Sequence, residues 1–409
     1  MSYYGWRIAW ALAVTQTIGY GVLYYAFSVF VAPMEAELGW TRAQTTGAFS
    51  LALLVSGIVA VPVGRFVDRH GPRLLMTVGS TTGVLLILAW SSVETLSGFY
   101  LVQAAIGLVM AAVFYEVAFT VVAVWFRRRR PQAMLIITLV AGMASTIFIP
   151  LTTYLLGTFG WRGALKVLAL LLAVGTIPLH AFVLRRHPEV LNLLPDGATR
   201  GTEAETPERS VSPCEAFRVP TFWWLSGAFA LDRIALIAIA VHSVPILLER
   251  GYAPALVAAA AGSIGLMQVA GRIVFAPVAS GITLPMMTAG IFVARAFAFL
   301  AFLLLPGVAG VWIFVILFGA ANGAVTLARA ALVAELYGAA HYGSISGVMT
   351  TLMAVTQTVA PLGVGVLHDL SGGYTLPLWL LIGTSLLAAT CVVRVSVLPG
   401  ATGTKPLKT

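Results

Sequence analysis

The chain is predicted to be an all-α polytopic membrane protein, with twelve transmembrane helices in two six-helix bundles. Three observations predict it. The 409 residues are 59% hydrophobic and only 10% charged, with a mean hydropathy of +0.95, outside the range of a water-soluble domain. Apolar segments long enough to cross ~30 Å of hydrocarbon as helices recur from Arg7 to Arg394. A polar stretch from Arg185 to Pro220, rich in Pro, Glu, Arg, Thr and Gly, divides them six and six and has no apolar periodicity.

The spans fall at residues 8–32, 43–63, 74–90, 97–125, 132–154 and 163–184, then at 221–249, 254–278, 285–305, 308–331, 343–367 and 375–397. The first apolar run, Ile8 to Val31, is too long for the apolar region of a signal peptide and lacks a cleavage site, so it stays as helix one. The domains are an N-terminal bundle at 1–184, a solvated cytoplasmic linker at 185–220 and a C-terminal bundle at 221–409. Val61-Pro-Val-Gly-Arg-Phe-Val-Asp68, ending helix two, is weakly echoed by Ile273-Val-Phe-Ala-Pro-Val-Ala-Ser280, ending helix eight. Such duplication, with a site at the midplane between the halves, is the plan of alternating-access transporters. Glycines inside helices, among them Gly19/Gly21, Gly262/Gly265, Gly319/Gly323 and Gly363/Gly365, permit close helix approach, which ordinary tight packing in lipid also uses.

A net charge of +9 raises the question of nucleic acid, and the placement of the 24 basic residues answers it. Most lie at the ends of the even-numbered connections or near the termini: Arg7, Arg65, Arg69, Arg73, Arg127 to Arg130, Arg185, Arg186, Arg200, Arg209, Arg218, Arg394, Lys405 and Lys408. This is the positive-inside pattern and puts both termini in the cytoplasm, so the charge is a topology signal and no nucleic-acid partner is implied. The two cysteines, Cys214 and Cys391, both fall toward the cytoplasmic side and imply neither a disulfide framework nor a metal site.

Between helices two and three lies Gly64-Arg65-Phe66-Val67-Asp68-Arg69-His70-Gly71-Pro72-Arg73. Asp68 can accept from a helix N-terminus or from a nearby arginine, while Arg65, Arg69 and Arg73 hold the hairpin at an anionic surface. The stretch resembles the G-x-x-x-D-R-x-G-R-R/K hairpin of the major facilitator superfamily, with Pro72 replacing a basic residue. That resemblance implies a gating role for Gly64, Arg65, Asp68, Arg69, Gly71 and Arg73, without substrate contact.

Four further stretches resemble the monocarboxylate porters and oxalate–formate exchangers of that superfamily. They are Tyr4-Gly5-Trp6 with Phe27-Ser28-Val29-Phe30, Trp125-Phe126 and the four arginines after it, His368-Asp369-Leu-Ser-Gly-Gly-Tyr374, and Arg272 in helix eight. In those porters an arginine of helix eight pairs with the substrate carboxylate, and an acidic residue one turn earlier takes part in proton coupling. Here Arg272 is kept and Gln268 stands at the acidic position, so anion recognition carries over better than coupling. A guanidinium is permanently charged and presents a planar fork of donors that suits a carboxylate. The structural alternative is that Arg272 snorkels to the interface or pairs within the fold.

A charged side chain in a span costs about 2.5–3.5 kcal/mol even on insertion scales, which makes each one a functional candidate. Glu116, ~13 Å up from the cytoplasmic end of helix four at the helical rise, is the leading proton site, with a permanent ion pair as its alternative. Asp232 and Arg233 point about 100° apart on helix seven and need different partners; Asp232 is the second proton-coupling candidate. His242 fits a packing role, and Arg295 on helix nine fits structural pairing better than ligand contact. Arg329, followed by Glu335 and by Tyr342-Gly343 opening helix eleven, suggests a cytoplasmic gate. Tyr20, Tyr24, Tyr115 and Asn322 are candidate substrate contacts beside Arg272 and Gln268, with Tyr25 and Phe114 shaping the pocket.

No phosphate-binding loop and no metal-ligand spacing occurs, so neither ATP drive nor catalysis is supported, and no cofactor is implied. The expected function is secondary transport of a small organic anion, a monocarboxylate foremost, with proton coupling. Proton-driven efflux of drugs or metabolites is the alternative. Helix five reads Ala141-Gly142-Met143-Ala144-Ser145-Thr146-Ile147-Phe148-Ile149-Pro150 and lacks the G-x-x-x-G-P-x-x-G-G motif of the superfamily's exporters. A ligand-sensing receptor would need a larger soluble piece than the linker. The expected setting is a monomer in the lipid bilayer of a bacterial inner membrane.

Overall fold

The computed structural model describes residues 3–197, 210–279 and 281–397. Arg200, Arg209, Lys405, Lys408 and Ser280 of the sequence patterns lie outside the described residues. The chain forms two compact units, Met1–Ser210 with Gly338–Thr351, and Val211–Tyr337 with Leu352–Thr409.

In the first unit α1 spans Tyr4–Leu38, and α2 runs Arg42–Ile58 and, after a 47° bend, Ala60–His70. α3 is Pro72–Trp90, and α4 is Leu96–Val113 continued by Tyr115–Trp125. Helix then runs from Arg130 to Val183 and is cut in two at Gly160, whose φ of 66° and ψ of 172° belong to a region that only glycine adopts cheaply. That break separates α5 from α6. In the second unit α7 is Pro220–Glu249, α8 Pro254–Ala279, α9 Leu284–Leu304, α10 Gly307–Tyr337 and α12 Thr375–Val397. α11, Tyr342–Ser371, contributes its first turns to the first unit and the rest to the second. These are the twelve helices expected from hydropathy, and no strand occurs among the described residues.

The two units repeat a pairing scheme. α2 packs on α4 and α3 on α6 in the first; α8 packs on α10 and α9 on α12 in the second. Each has its own aromatic-rich core: Phe27, Phe30, Trp90, Phe99, Trp161 and Leu168 in one, and Phe299, Phe302, Phe314, Phe318 and Leu378 in the other. Large apolar side chains also cover the outside, with Leu101 at 72% exposure and Leu85, Leu170, Val174 and Leu304 exposed as well. Such a surface is tolerable only with hydrocarbon as solvent.

Apart from α3, every helix of the first six is irregular. α1 carries a π turn at Gly21–Tyr25, α2 bends at Val59, α4 breaks at Phe114, α5 is interrupted at Met143, and α6 ends in a π turn at Leu179–Val183. The end of this bundle farthest from the linker is tied by Glu37, which accepts from Trp161 Nε1 (2.5 Å) and Arg162 Nε (2.9 Å). Arg162 donates onward to the carbonyls of Ser91 and Val93, joining α1, α3 and α6.

The described ends of the linker are held by hydrogen bonds. Asp196, at φ 61°, accepts from the backbone N–H groups of Arg127, Arg128 and Arg129 at 3.0, 2.7 and 3.2 Å, which fastens the turn at Pro195–Gly197 beneath α4. At the other end Ser212 and Glu215 form a reciprocal capping box that starts a short helix, Pro213–Arg218.

Candidate transport site and gate

In the first unit the irregular turns of α1 and α4 meet. Phe114 leaves the helical region (φ −86°, ψ −169°), so the carbonyl of Val113 loses its acceptor role within α4. Gln16 of α1 replaces the lost partner, its Nε2 donating to Val113 O at 2.5 Å. The amide orientation follows from chemistry, since a carbonyl can only accept. Around this joint Tyr20 stacks on Phe114 at 4.0 Å and lies 4.8 Å from Tyr115 and 6.2 Å from Tyr24, with Tyr24 5.1 Å from Tyr25. All five rings are part-buried. The structure thus brings together Tyr20, Tyr24 and Tyr115. Glu116, in the first turn of the second half of α4, accepts from Ser346 Oγ of α11 at 2.5 Å.

In the second unit α8 and α10 lie backbone to backbone. A Cβ on Gly271 would overlap the carbonyl of Ala320, and one on Gly323 would overlap that of Gln268. This register sets Gln268 and Arg272 of α8 level with Asn322 of α10. Arg272 is buried, 7% exposed, while Gln268 and Asn322 are part-buried. Asp232 belongs to a different place: it is ion-paired with Arg295 of α9, whose Nη1 donates to both the carboxylate and the backbone carbonyl of Asp232. Arg295 is fully buried and sits over the Phe318 ring at 5.4 Å. His242 Nδ1 is 3.1 Å from the Tyr374 hydroxyl, a packing arrangement.

The hairpin at 64–73 joins α2 to the start of α11 within the first unit. Asp68 accepts from Gly343 N (2.9 Å), Ser344 N (2.8 Å) and Ser344 Oγ (2.6 Å). A carboxylate on the orphan amides of a helix N-terminus gains both hydrogen bonds and the favourable end of the dipole. Gly64 allows the approach, since a Cβ there would overlap Gly343 O. Gly71 turns the hairpin at φ 82° under Arg186, and Arg65, Arg69 and Arg73 project outward, exposed. Arg329 is buried, 9% exposed, toward the end of α10.

Gln16, Ser344 and Ser346 escaped the sequence reading. Gln16 was visible as an amide inside an apolar span. The serines follow Tyr342-Gly343 at positions where first-turn residues cap helices. Nothing in Val113-Phe114-Tyr115 announces the break, because its cause lies in another helix.

The chain is similar to known proteins. Residues 12–361 match the family model described as Major Facilitator Superfamily. The chain is 25% identical over 228 residues to the oxalate:formate antiporter of Oxalobacter formigenes, covering 54% of this chain and 50% of that protein. It is 28% identical over 207 residues to monocarboxylate transporter 13 of Bos taurus, covering 49% and 46%. The chain thus spans about half the length of the curated relatives it matches. A bacterial homologue of the iron transporter ferroportin, solved in an outward-facing state, superposes with a TM-score of 0.74 at 14% identity, over 96% of this chain and 100% of that one. With a family model matched over most of its length and the fold to go with it, the chain belongs to the Major Facilitator Superfamily.

Proposed function

We propose that this protein is a secondary transporter of a small organic anion, a monocarboxylate foremost, with Arg272 as the carboxylate anchor and Glu116 as the proton-coupling group. It is not an enzyme. The observation that carries the reading is a buried guanidinium in a membrane-spanning helix, set by glycine packing level with Gln268 and Asn322. Burying that charge is expensive unless an anion or a partner dipole compensates it, and a planar five-donor fork recognises carboxylate in two-point fashion. Similarity to an oxalate:formate antiporter and a monocarboxylate transporter supports the same substrate class.

Coupling rests on Glu116. Its carboxyl sits at a broken helix, next in sequence to Tyr115, and shares a short hydrogen bond with Ser346, a geometry in which protonation changes what the group donates and accepts. Asp232 is the weaker candidate, because its carboxylate is already committed to a buried structural ion pair with Arg295. The Asp68 contacts are proposed as the gate.

The test is uptake of radiolabelled monocarboxylates, dicarboxylates and neutral or cationic compounds into proteoliposomes, with and without an inward proton gradient. Gradient-enhanced carboxylate uptake that Arg272→Gln abolishes, and that Glu116→Gln uncouples from the gradient, is the expected result. Proton-driven flux of neutral or cationic compounds that survives Arg272→Gln would replace this reading with efflux antiport.

A further inference from the structure

The short helix Pro213–Arg218 and the start of α7 flank a shallow, open cleft of about 440 Å³ lined by Arg218, Pro220, Trp223 and Trp224. We propose that this cleft binds the phosphodiester headgroup of an acidic phospholipid, in the leaflet facing the connection between α6 and α7. On the charge-derived topology that leaflet is cytoplasmic.

The cleft is built before any ligand arrives. The capping box at Ser212 starts the short helix, Val219 is extended (φ −94°, ψ 131°), and Pro220 restarts helix at α7 because its missing N–H is harmless at that position. Two helices joined through one extended residue have little freedom. The corner is stapled by Trp223 Nε1 donating to Phe217 O at 2.9 Å and by the Phe217 and Phe222 rings, 4.8 Å apart.

Its chemistry points to an anion with an apolar body. The Arg218 guanidinium and the Trp224 indole N–H are both donors, and neither has a hydrogen-bond or ion-pair partner among the described residues. The neighbouring carboxylate, Glu215, is engaged with Ser212 N and Oγ at 2.9 and 2.8 Å. The remaining lining is Pro220 and two indoles, with Trp223 52% and Trp224 42% exposed. A hydrated phosphate ion has no use for indole faces, whereas a lipid places its phosphodiester on the donors and its glycerol and first methylenes along the rings. Tryptophan at the end of a span already marks the headgroup depth.

The experiment is native mass spectrometry of the full-length protein in detergent, titrated with phosphatidylglycerol, phosphatidylcholine or inorganic phosphate. Wild type should bind phosphatidylglycerol about tenfold more tightly than phosphatidylcholine, and Arg218→Gln should erase that preference. Arg218→Lys should keep part of it, Trp224→Phe should weaken it about threefold, and Arg394→Gln, a basic residue at the end of α12, should leave it unchanged. Thermal melts identify any variant that has not folded. The proposal fails if Arg218→Gln and Arg394→Gln behave alike, or if millimolar phosphate alone displaces the lipid. It also fails if lipid binds only after Glu203, Glu205 and Glu208 are changed to Gln, which would give the cleft to the linker's own carboxylates.

Discussion

A carboxamide buried inside a membrane has two polar atoms to satisfy, and Gln16 satisfies one. Its Nε2 holds Val113 O, while its Oε1 has no partner among the described residues. Replacing it with Leu removes the donor and leaves a carbonyl stranded in the bilayer interior, a loss of about 1–3 kcal/mol. A lower melting temperature for Gln16→Leu, together with slower uptake, is the expected outcome. Asp232 and Arg295 make a sharper case. Either single change, Asp232→Leu or Arg295→Met, should cost about 3–5 kcal/mol by leaving an uncompensated charge, while the double variant should recover most of it. Thermal melts of the four proteins close the cycle. These two residues, with Glu116 and Arg272, were legible in the sequence because a charge in an apolar span is too costly to be incidental, and Asp68 because it sits in the patterned hairpin at 64–73. Gln16 and Ser346 were not, since an uncharged polar side chain is cheap enough in a helix to pass among the ordinary threonines and serines.

Helices with proline at their first position, α3 and α7, were placed to within a residue or two from the sequence, whereas the breaks in α1 and α4 were not. The difference is physical. A proline acts locally, but Phe114 departs from helix because a distant glutamine rewards the departure. The α2–α11 junction is the element on which the proposed gate depends, and its tolerance is small. Gly64→Ala puts a methyl into Gly343 O, so α2 must move off α11. Initial uptake rates should fall at least about tenfold with little change in the melt, since the closed gate and not the bundle core is disturbed. The segment after α6 should respond to acid. Burial first, then the charge of Arg186, holds the His187 imidazole below its ordinary value of 6.5, with Glu189 opposing. The folded segment therefore binds fewer protons than the unfolded one. Its stability is complete above 6.5 and declines as pH falls from there to the lowered folded value. Protection factors over residues 188–197, which divide out the intrinsic pH dependence of exchange, should fall as pH drops below 6.5, and His187→Gln should flatten the change.

At the scale of the molecule, the proposed orientation of the chain is open to a direct test. Cys214 is exposed and Cys391 buried, so a membrane-impermeant maleimide should modify Cys214 in inside-out vesicles and spare it in right-side-out ones. The reverse pattern would overturn the cytoplasmic placement of the linker. Twelve spans and their order were legible because hydropathy is summed over many residues and survives local errors. The repeated pairing of α2 with α4 and α8 with α10 was only hinted at, since the echo between Val61–Asp68 and Ile273–Ser280 has lost its charges in the second copy. The fastenings of the first unit also carry a message about biogenesis. Tyr3 and Tyr4 donate to the carbonyls of Trp125 and Val183, partners 122 and 179 residues downstream. At a synthesis rate of ~5–20 residues per second, α1 waits roughly 10–40 s for the second of these. Asp68 waits longer still, for Ser344, 276 residues later. Until the ribosome has delivered α11, the N-terminal bundle carries an uncapped carboxylate at its membrane edge, and that interval is when a nascent chain of this protein would most need an insertase or chaperone beside it.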